Sequence, residues 1–105
     1  MTGARADIAI LGGGLAGGLI ALAVRRADPS LSVVLVEAGE MLGGNHRWSW
    51  FESDLNNDGQ ALLAPIRKIH WPVGYDVHFP EHSRRLESTY VSLSSTDFDA
   101  ALRRD

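Results

Sequence analysis

The sequence predicts an α/β fold that opens with a βαβ unit of the Rossmann type and continues into short antiparallel strands and a helix. Three observations predict it. Gly12-Gly13-Gly14-Leu15-Ala16-Gly17 reads G-x-G-x-x-G, Glu37 stands twenty residues past Gly17, and the doublet Gly43-Gly44 follows. A lone glycine motif is weak. Here strand, turn, helix, second strand and acid fall in the order that a dinucleotide-binding unit requires.

Each element has its own signal. Ile8-Ala9-Ile10-Leu11 is an apolar run that reads as a buried strand entering the glycine turn. Leu15 to Arg26 is nearly all apolar and helix-forming, which suits burial against a sheet; Arg25 and Arg26 complement the dipole of its last turns, and Pro29 prevents continuation. Ser32 to Glu37 is β-branched and fits a parallel strand covered on both faces, with the acid at its carboxyl end. Beyond Gly44 the pattern is irregular. A short helix is expected over Gly59 to Leu63, opened by Asp58, then a strand over Tyr75 to Phe79 that stops at Pro80, and another over Tyr90 to Leu93. Ser95 or Thr96 is expected to cap a final helix, Asp97 to Arg104, with Phe98, Ala101 and Leu102 on one face.

The glycines and the acid define a candidate site. Gly12 permits the tight turn where a side chain would clash, Gly14 lets the backbone approach a pyrophosphate, and Gly17 lets the helix lie against the strand. The first turn, Leu15 and Ala16, offers unpaired N–H groups and the positive end of the dipole to the phosphates. Glu37, with Ala38 behind it, sits where a ribose would lie. Its charge accepts from ribose hydroxyls and repels a 2′-phosphate, which disfavours NADP and leaves FAD and NAD open. A Walker-type loop is excluded, because neither Lys-Ser nor Lys-Thr follows the glycines.

Composition narrows the class. At 105 residues the chain is at most one domain, with ordinary apolar (45%) and charged (22%) content. A net charge of −3 gives no reason to expect a nucleic-acid partner. The absence of cysteine excludes disulfides and thiol chemistry and is compatible with the cytoplasm. No segment is an apolar membrane span, and the N-terminal apolar stretch runs straight into the glycine turn rather than forming a secretion signal. Doubly wound sheets flank the first strand on both sides, yet only two convincing parallel strands are present. Residues 1–105 are therefore expected to be the N-terminal part of a larger nucleotide-binding domain, at the front of a longer enzyme.

The string Gly43-Gly44-Asn45-His46-Arg47-Trp48-Ser49-Trp50 resembles the bacterial lycopene β-cyclase family, flavoproteins that close the β-ionone rings of carotenoids. The likeness starts at Leu15 to Leu22 and continues through Leu63-Ala64-Pro65, His70-Trp71-Pro72, Tyr75 to Pro80, Arg84-Arg85-Leu86 and Tyr90. It ends in the spacing of Ser95, Phe98 and Leu102. Departures are mild: Gly18 stands where the family often has Asn, Arg47 where it often has Thr, and Trp50 where it often has Phe. The resemblance implies a two-domain protein that binds FAD and needs it reduced, with NAD(P)H as electron source. The overall reaction it implies is redox-neutral: an acid protonates a terminal double bond of lycopene, a carbocation closes the ring, and proton loss completes it. The family's essential carboxylates lie beyond residue 105, so no catalytic residue is assigned in this chain, which is expected to be inactive alone. A carotenoid substrate dissolved in the bilayer places peripheral contact with the inner face of the membrane among the expectations.

Side chains near the glycines divide between site and scaffold. Gly43-Gly44 is expected to let backbone pass close to FAD, with a plain surface turn as the alternative. Asn45 and His46 are candidate neighbours of the flavin or its linker, although a lone histidine is more often structural. Trp48, Trp50 and Phe51 suit either the approach of a hydrocarbon or the core. His70, His78 and His82 lack partner ligands at metal spacing. Arg84-Arg85 reads as a solvated pair, with phosphate or anionic lipid as the alternative. Competing functions are another FAD-dependent enzyme (monooxygenase, isoprenoid reductase or carotenoid desaturase) and a stand-alone nucleotide-binding module. As an isolated polypeptide the chain is expected to self-associate.

Overall fold

The computed structural model describes residues 5–104. Strand β1 (Ile8–Leu11), helix α1 (Leu15–Ala27) and strand β2 (Val33–Val36) follow one another as strand, helix and strand, and β1 and β2 pair in parallel, Ile8 opposite Val33 and Leu11 opposite Val36. The helix ends where expected: Arg25 and Arg26 occupy its last turn, and the Asp28 amide closes onto the Val24 carbonyl just before Pro29. Burial alternates along both strands. Ile8, Ile10, Val33 and Leu35 are half-buried, whereas Ala9, Leu11, Val34 and Val36 are exposed. Among the described residues, the double cover expected for these strands is therefore not present, and one face of the two-stranded sheet stands open. The same holds for α1, where Gly18 and Ala21 are buried and Ile20 is exposed.

The segment after Gly44 is more regular than its sequence suggests. Strand β3 (Arg47–Phe51) leads through a 3-10 turn, Glu52–Asp54, into helix α2 (Asn57–Leu63). That helix begins two residues before the expected start, because Asn56 rather than Asp58 caps it: the Asn56 side chain accepts from the Gly59 amide at 2.9 Å. Lys68 closes its far end, its ammonium donating to the Leu63 and Ile66 carbonyls. Burial there lowers the Lys68 pKa. Strand β4 (Ile69–Trp71), the hairpin β5 (Tyr75–Phe79) and β6 (His82–Leu86), strand β7 (Tyr90–Ser94) and helix α3 (Ser95–Arg104) complete the chain. Ser94, not Ser95 or Thr96, caps α3: its hydroxyl accepts from the Asp97 amide at 3.1 Å and donates to the Asp97 carboxylate at 3.0 Å.

Strand β7 is central to a three-stranded antiparallel sheet, order β3-β7-β4. Pleating sends Trp48 and Leu93, and Trp50 and Val91, to one face as opposed pairs. That face meets α1, α2 and α3 in a core of Leu63, Ile66, Leu93, Phe98 and Ala101, with Leu15, Leu19, Leu22 and Leu102 packed against it. Phe98 is fully buried, and Trp48 meets it edge-on with centroids 5.5 Å apart. Gly18 explains how the ring fits. A Cβ there would lie 2.5 Å from Phe98 Cζ, so the absent side chain on α1 is the seat for the ring on α3. The hairpin β5–β6 forms a sheet of its own, and the described chain is elongated, with a radius of gyration of 17.3 Å against about 13 Å for a compact domain of this length.

Among the described residues, no helix is long and apolar enough to cross a membrane, and no three His, Cys, Asp or Glu side chains gather as a metal site.

Candidate functional site

The site is built where β1 turns into α1. Gly12 adopts φ +99°, a left-handed conformation that favours glycine, and its amide donates to the Val36 carbonyl at 2.7 Å. A Cβ built at Gly12 meets nothing within 4 Å. The requirement for glycine is thus conformational, not the steric clash expected from the motif. Gly17 is different: a Cβ there would lie 2.1 Å from the Gly12 carbonyl oxygen and 3.3 Å from Ile10 Cγ2, so helix, turn and strand approach too closely for any side chain.

Gly14 faces open space, with nothing within 4 Å of a built Cβ. It is also the N-cap of α1, and this 13-residue helix carries no side-chain cap and no acid in its first turn. The amides at the start of Leu15-Ala16-Gly17 and the positive end of the helix dipole therefore meet no acid of the helix's own first turn, beside a position that the backbone leaves unfilled.

Glu37 closes the other side. It follows β2 directly, and its Oε1 accepts from the Gly13 amide at 2.9 Å while Oε2 accepts from the Gly39 amide at 2.8 Å. Those two amides, Gly39 first, hold its carboxyl below the usual glutamate pKa, so it is a carboxylate at neutral pH. Ala38 is exposed between the two bonded residues. Gly13 was not singled out in the sequence, yet a Cβ there would lie 2.6 Å from Leu42 Cδ2 and 3.0 Å from Glu37 Cβ.

Gly43 and Gly44 adopt φ +84° and +71°. The Gly43 amide donates to the Gly13 carbonyl, which brings the second glycine pair onto the first. The His46 ring lies over Gly44, with Cδ2 3.2 Å from a built Cβ, and against Trp48 at 6.1 Å between centroids. Its backbone is fixed to Ser95 of α3, the His46 amide donating to Ser95 Oγ at 3.0 Å and the Ser95 amide to the His46 carbonyl at 2.9 Å. Asn45 is exposed between them. Gly12, Gly14, Leu15, Ala16, Gly17, Glu37, Ala38, Gly43 and Gly44 therefore belong to one locality, with Asn45 and His46 at its margin.

The structure adds partners that the sequence reading missed. Asp99 of α3 accepts from the Leu42 amide at 2.8 Å, and Arg103 pairs with Asp99 at 2.9 Å while donating to the Glu40 carbonyl at 2.9 Å. The i, i+4 spacing of Asp99 and Arg103 was a legible signal for their pairing; the contact with Leu42 was not.

The aromatic string divides by strand periodicity. Trp48 and Trp50 pack toward the core, and Phe51 turns to the opposite face. There it stacks on Tyr75 at 5.8 Å and meets Tyr90 at 5.5 Å, and with Trp71 these rings line an open cleft of about 530 Å³. Arg85 is exposed and paired with Asp76 and Glu87.

Comparison with known proteins bears on the family. The family described as "Lycopene cyclase protein" matches residues 7–105. A lycopene beta-cyclase of Pseudescherichia vulneris is 48% identical over 98 residues, covering 93% of this chain and 25% of the relative. Those of Pantoea ananas and Paracoccus sp. (strain N81106 / MBIC 01143) are 39% and 43% identical, covering 93% and 92% of this chain. The chain thus spans about a quarter of the length of the curated relatives it matches. With a match that reaches nearly every residue, the chain belongs to the lycopene cyclase family.

Proposed function

We propose that this chain forms the adenine and pyrophosphate side of an FAD pocket in a lycopene β-cyclase, and so serves the cyclisation of lycopene ends to β-ionone rings in carotenoid biosynthesis. The observation that carries the reading is the uncapped start of α1 beside Gly14, with the Glu37 carboxylate held across the turn by the Gly13 amide. The donor set fits the cofactor. The amides of Leu15 and Ala16 and the helix dipole suit a pyrophosphate, Glu37 suits the hydroxyls of a ribose, and Gly43-Gly44 present backbone rather than side chain to the pocket.

When bound, reduced FAD, with NAD(P)H as electron source, would supply an electron-rich ring system suited to a substrate that becomes cationic during a redox-neutral cyclisation. The residues of this chain bind and orient; none of them is assigned the proton transfer. Membership of the cyclase family favours this chemistry over the monooxygenase, reductase and desaturase readings that share the glycine pattern. A bilayer-dissolved substrate calls for peripheral contact with the inner face of the membrane.

The test is direct. The protein as its gene encodes it is purified and its bound flavin measured by absorbance, then assayed for β-ring formation from lycopene in lipid vesicles with NADPH or NADH. Bound flavin and ring closure, both lost in Gly14→Val, support the reading. A purified protein that forms β-rings without any flavin overturns it.

A further inference from the structure

Resting on that FAD reading, we propose that Asp99 and Ser95 of α3 are positioning residues for the nucleotide pocket: from one face of the helix they fix the Leu42–His46 loop, and through Gly43 the glycine turn itself, in the conformation that receives the cofactor.

The loop needs such support. Gly43 and Gly44 both sit in the left-handed region, at φ +84° and +71°. A glycine pair samples many conformations in the absence of constraint, and ordering its backbone costs more entropy than ordering any other residue pair. Nothing within the loop itself supplies a regular hydrogen-bond ladder. The constraint comes from α3.

The anchors match in spacing. Leu42 bonds Asp99 at 2.8 Å and His46 bonds Ser95 at 3.0 Å, so a four-residue step along the loop matches a four-residue step along the helix, about 6 Å of rise. The Ser95 amide returns a bond to the His46 carbonyl at 2.9 Å, making that end reciprocal. Between the anchors, Gly43 is buried against Trp48, Ser95 and Phe98, where a Cβ would lie 3.2 to 3.4 Å from each. Arg103 adds a third point, pairing with Asp99 and donating to the Glu40 carbonyl at 2.9 Å.

The anchored loop in turn holds the glycine turn. The Gly43 amide donates to the Gly13 carbonyl, and the Leu42 side chain closes over Gly13. Gly13 is the residue whose amide holds Glu37. A continuous chain of contacts thus runs from Asp99 through Leu42 and Gly43 to Gly13 and Glu37. Asp99 is itself 6% exposed and Ser95 5%, as expected of polar groups placed for internal partners rather than for solvent.

The experiment uses the protein as its gene encodes it, with Asp99→Ala, Asp99→Asn and Ser95→Ala, and with Ile66→Val as a core control away from the loop. FAD affinity is read by flavin fluorescence, stability by thermal unfolding, and loop order by amide hydrogen exchange in the cofactor-free protein. Asp99→Ala is expected to weaken FAD binding about tenfold and to speed exchange at Leu42 and Gly43 by a similar factor. Asp99→Asn keeps an oxygen for the Leu42 amide and should recover part of both. Ile66→Val should lower the unfolding temperature without moving FAD affinity. If Asp99→Ala does not fold, Asp99→Asn and Ser95→Ala carry the same comparison. Wild-type FAD affinity retained in Asp99→Ala overturns the proposal, as does an equal loss of affinity in Ile66→Val at matched stability. A wild-type protein that binds no FAD overturns the functional reading and the clamp's part in it together, whereas wild-type binding with unaltered Asp99→Ala binding overturns the clamp alone.

Discussion

Glu37 Oε1 accepts a hydrogen bond from the Gly13 amide at 2.9 Å, so the acid at the end of β2 holds the turn at the end of β1. The two ends of a parallel pair are joined through a side chain as well as through their ladder. On the proposed reading the same carboxylate also accepts from a ribose, which would give it two tasks: shaping the turn and binding the ligand.

Substitution separates those tasks. Glu37→Ala removes both and should weaken FAD binding about tenfold or more, since charge-assisted hydrogen bonds are lost. Glu37→Gln retains an oxygen for the Gly13 amide and should fall between wild type and Glu37→Ala. Because the Gly39 and Gly13 amides hold the carboxyl below 4.5, affinity should be flat from neutral pH down to about 5 and fall below that. Fluorescence titrations across pH read all three. Equal affinities for wild type and Glu37→Ala sink the ribose assignment.

Two glycines three residues apart should fail in different ways. At Gly14 a Cβ meets no protein atom, whereas at Gly17 it meets the Gly12 carbonyl oxygen at 2.1 Å. Gly14→Val should therefore unfold within a few degrees of wild type yet purify without flavin. Gly17→Ala should be destabilised even in the absence of ligand, because backbone must move to admit the methyl group. Thermal unfolding and flavin absorbance of the two variants check this, and a Gly14→Val protein that keeps its flavin removes the proposed phosphate position.

What could be read in the sequence follows from the range of the interactions. β1, α1 and β2 were legible to within about a residue at each end, since apolar runs, glycines and Pro29 are local signals. β3 was not, because Arg47–Phe51 becomes a strand by pairing with β7, where Arg47 lies opposite Ser94. β6 carries His82, Ser83, Arg84 and Arg85 in sequence and has no alternation to detect; it is a strand because β5 pairs with it. The site shows the same division. Gly12, Gly14, Gly17 and Glu37 announce themselves by spacing, whereas Asp99 lies 57 residues from Leu42 and looks like any helix acid until the two meet.

Asp99 also predicts a pH response. Burial pushes its carboxyl pKa up, but the Arg103 side chain and the Leu42 amide outweigh that and leave it below 3.8. With the folded value depressed, the unfolded chain binds more protons in the interval between the two values, and stability rises with pH there. The contribution is present in full above about pH 5 and is lost progressively as pH falls through the folded value. Glu37 and Asp28 are also depressed and titrate nearby, so the informative quantity is a difference. Denaturant unfolding between pH 3 and 6 should show a steeper fall for wild type than for Asp99→Asn. Parallel curves would mean that the Asp99 pairing contributes nothing to stability.

The open face of the parallel pair sets the last expectation. Leu11 is 82% exposed, with Val34 and Val36 on the same side of the sheet. Uncovered apolar groups so close together are an association surface, and among the described residues each of these two strands pairs only with the other, leaving an unpaired edge on both. Produced as an isolated polypeptide, the 105 residues should self-associate at micromolar concentration and bind FAD weakly or not at all. Leu11→Lys, which places a charge on the open face without touching the glycine turn, should reduce that association. Sedimentation velocity with a parallel flavin titration reads both properties. A stable monomer that holds FAD tightly would show that two parallel strands and one helix suffice for the pocket, and would replace the cyclase-segment reading with that of a nucleotide-binding module complete in itself.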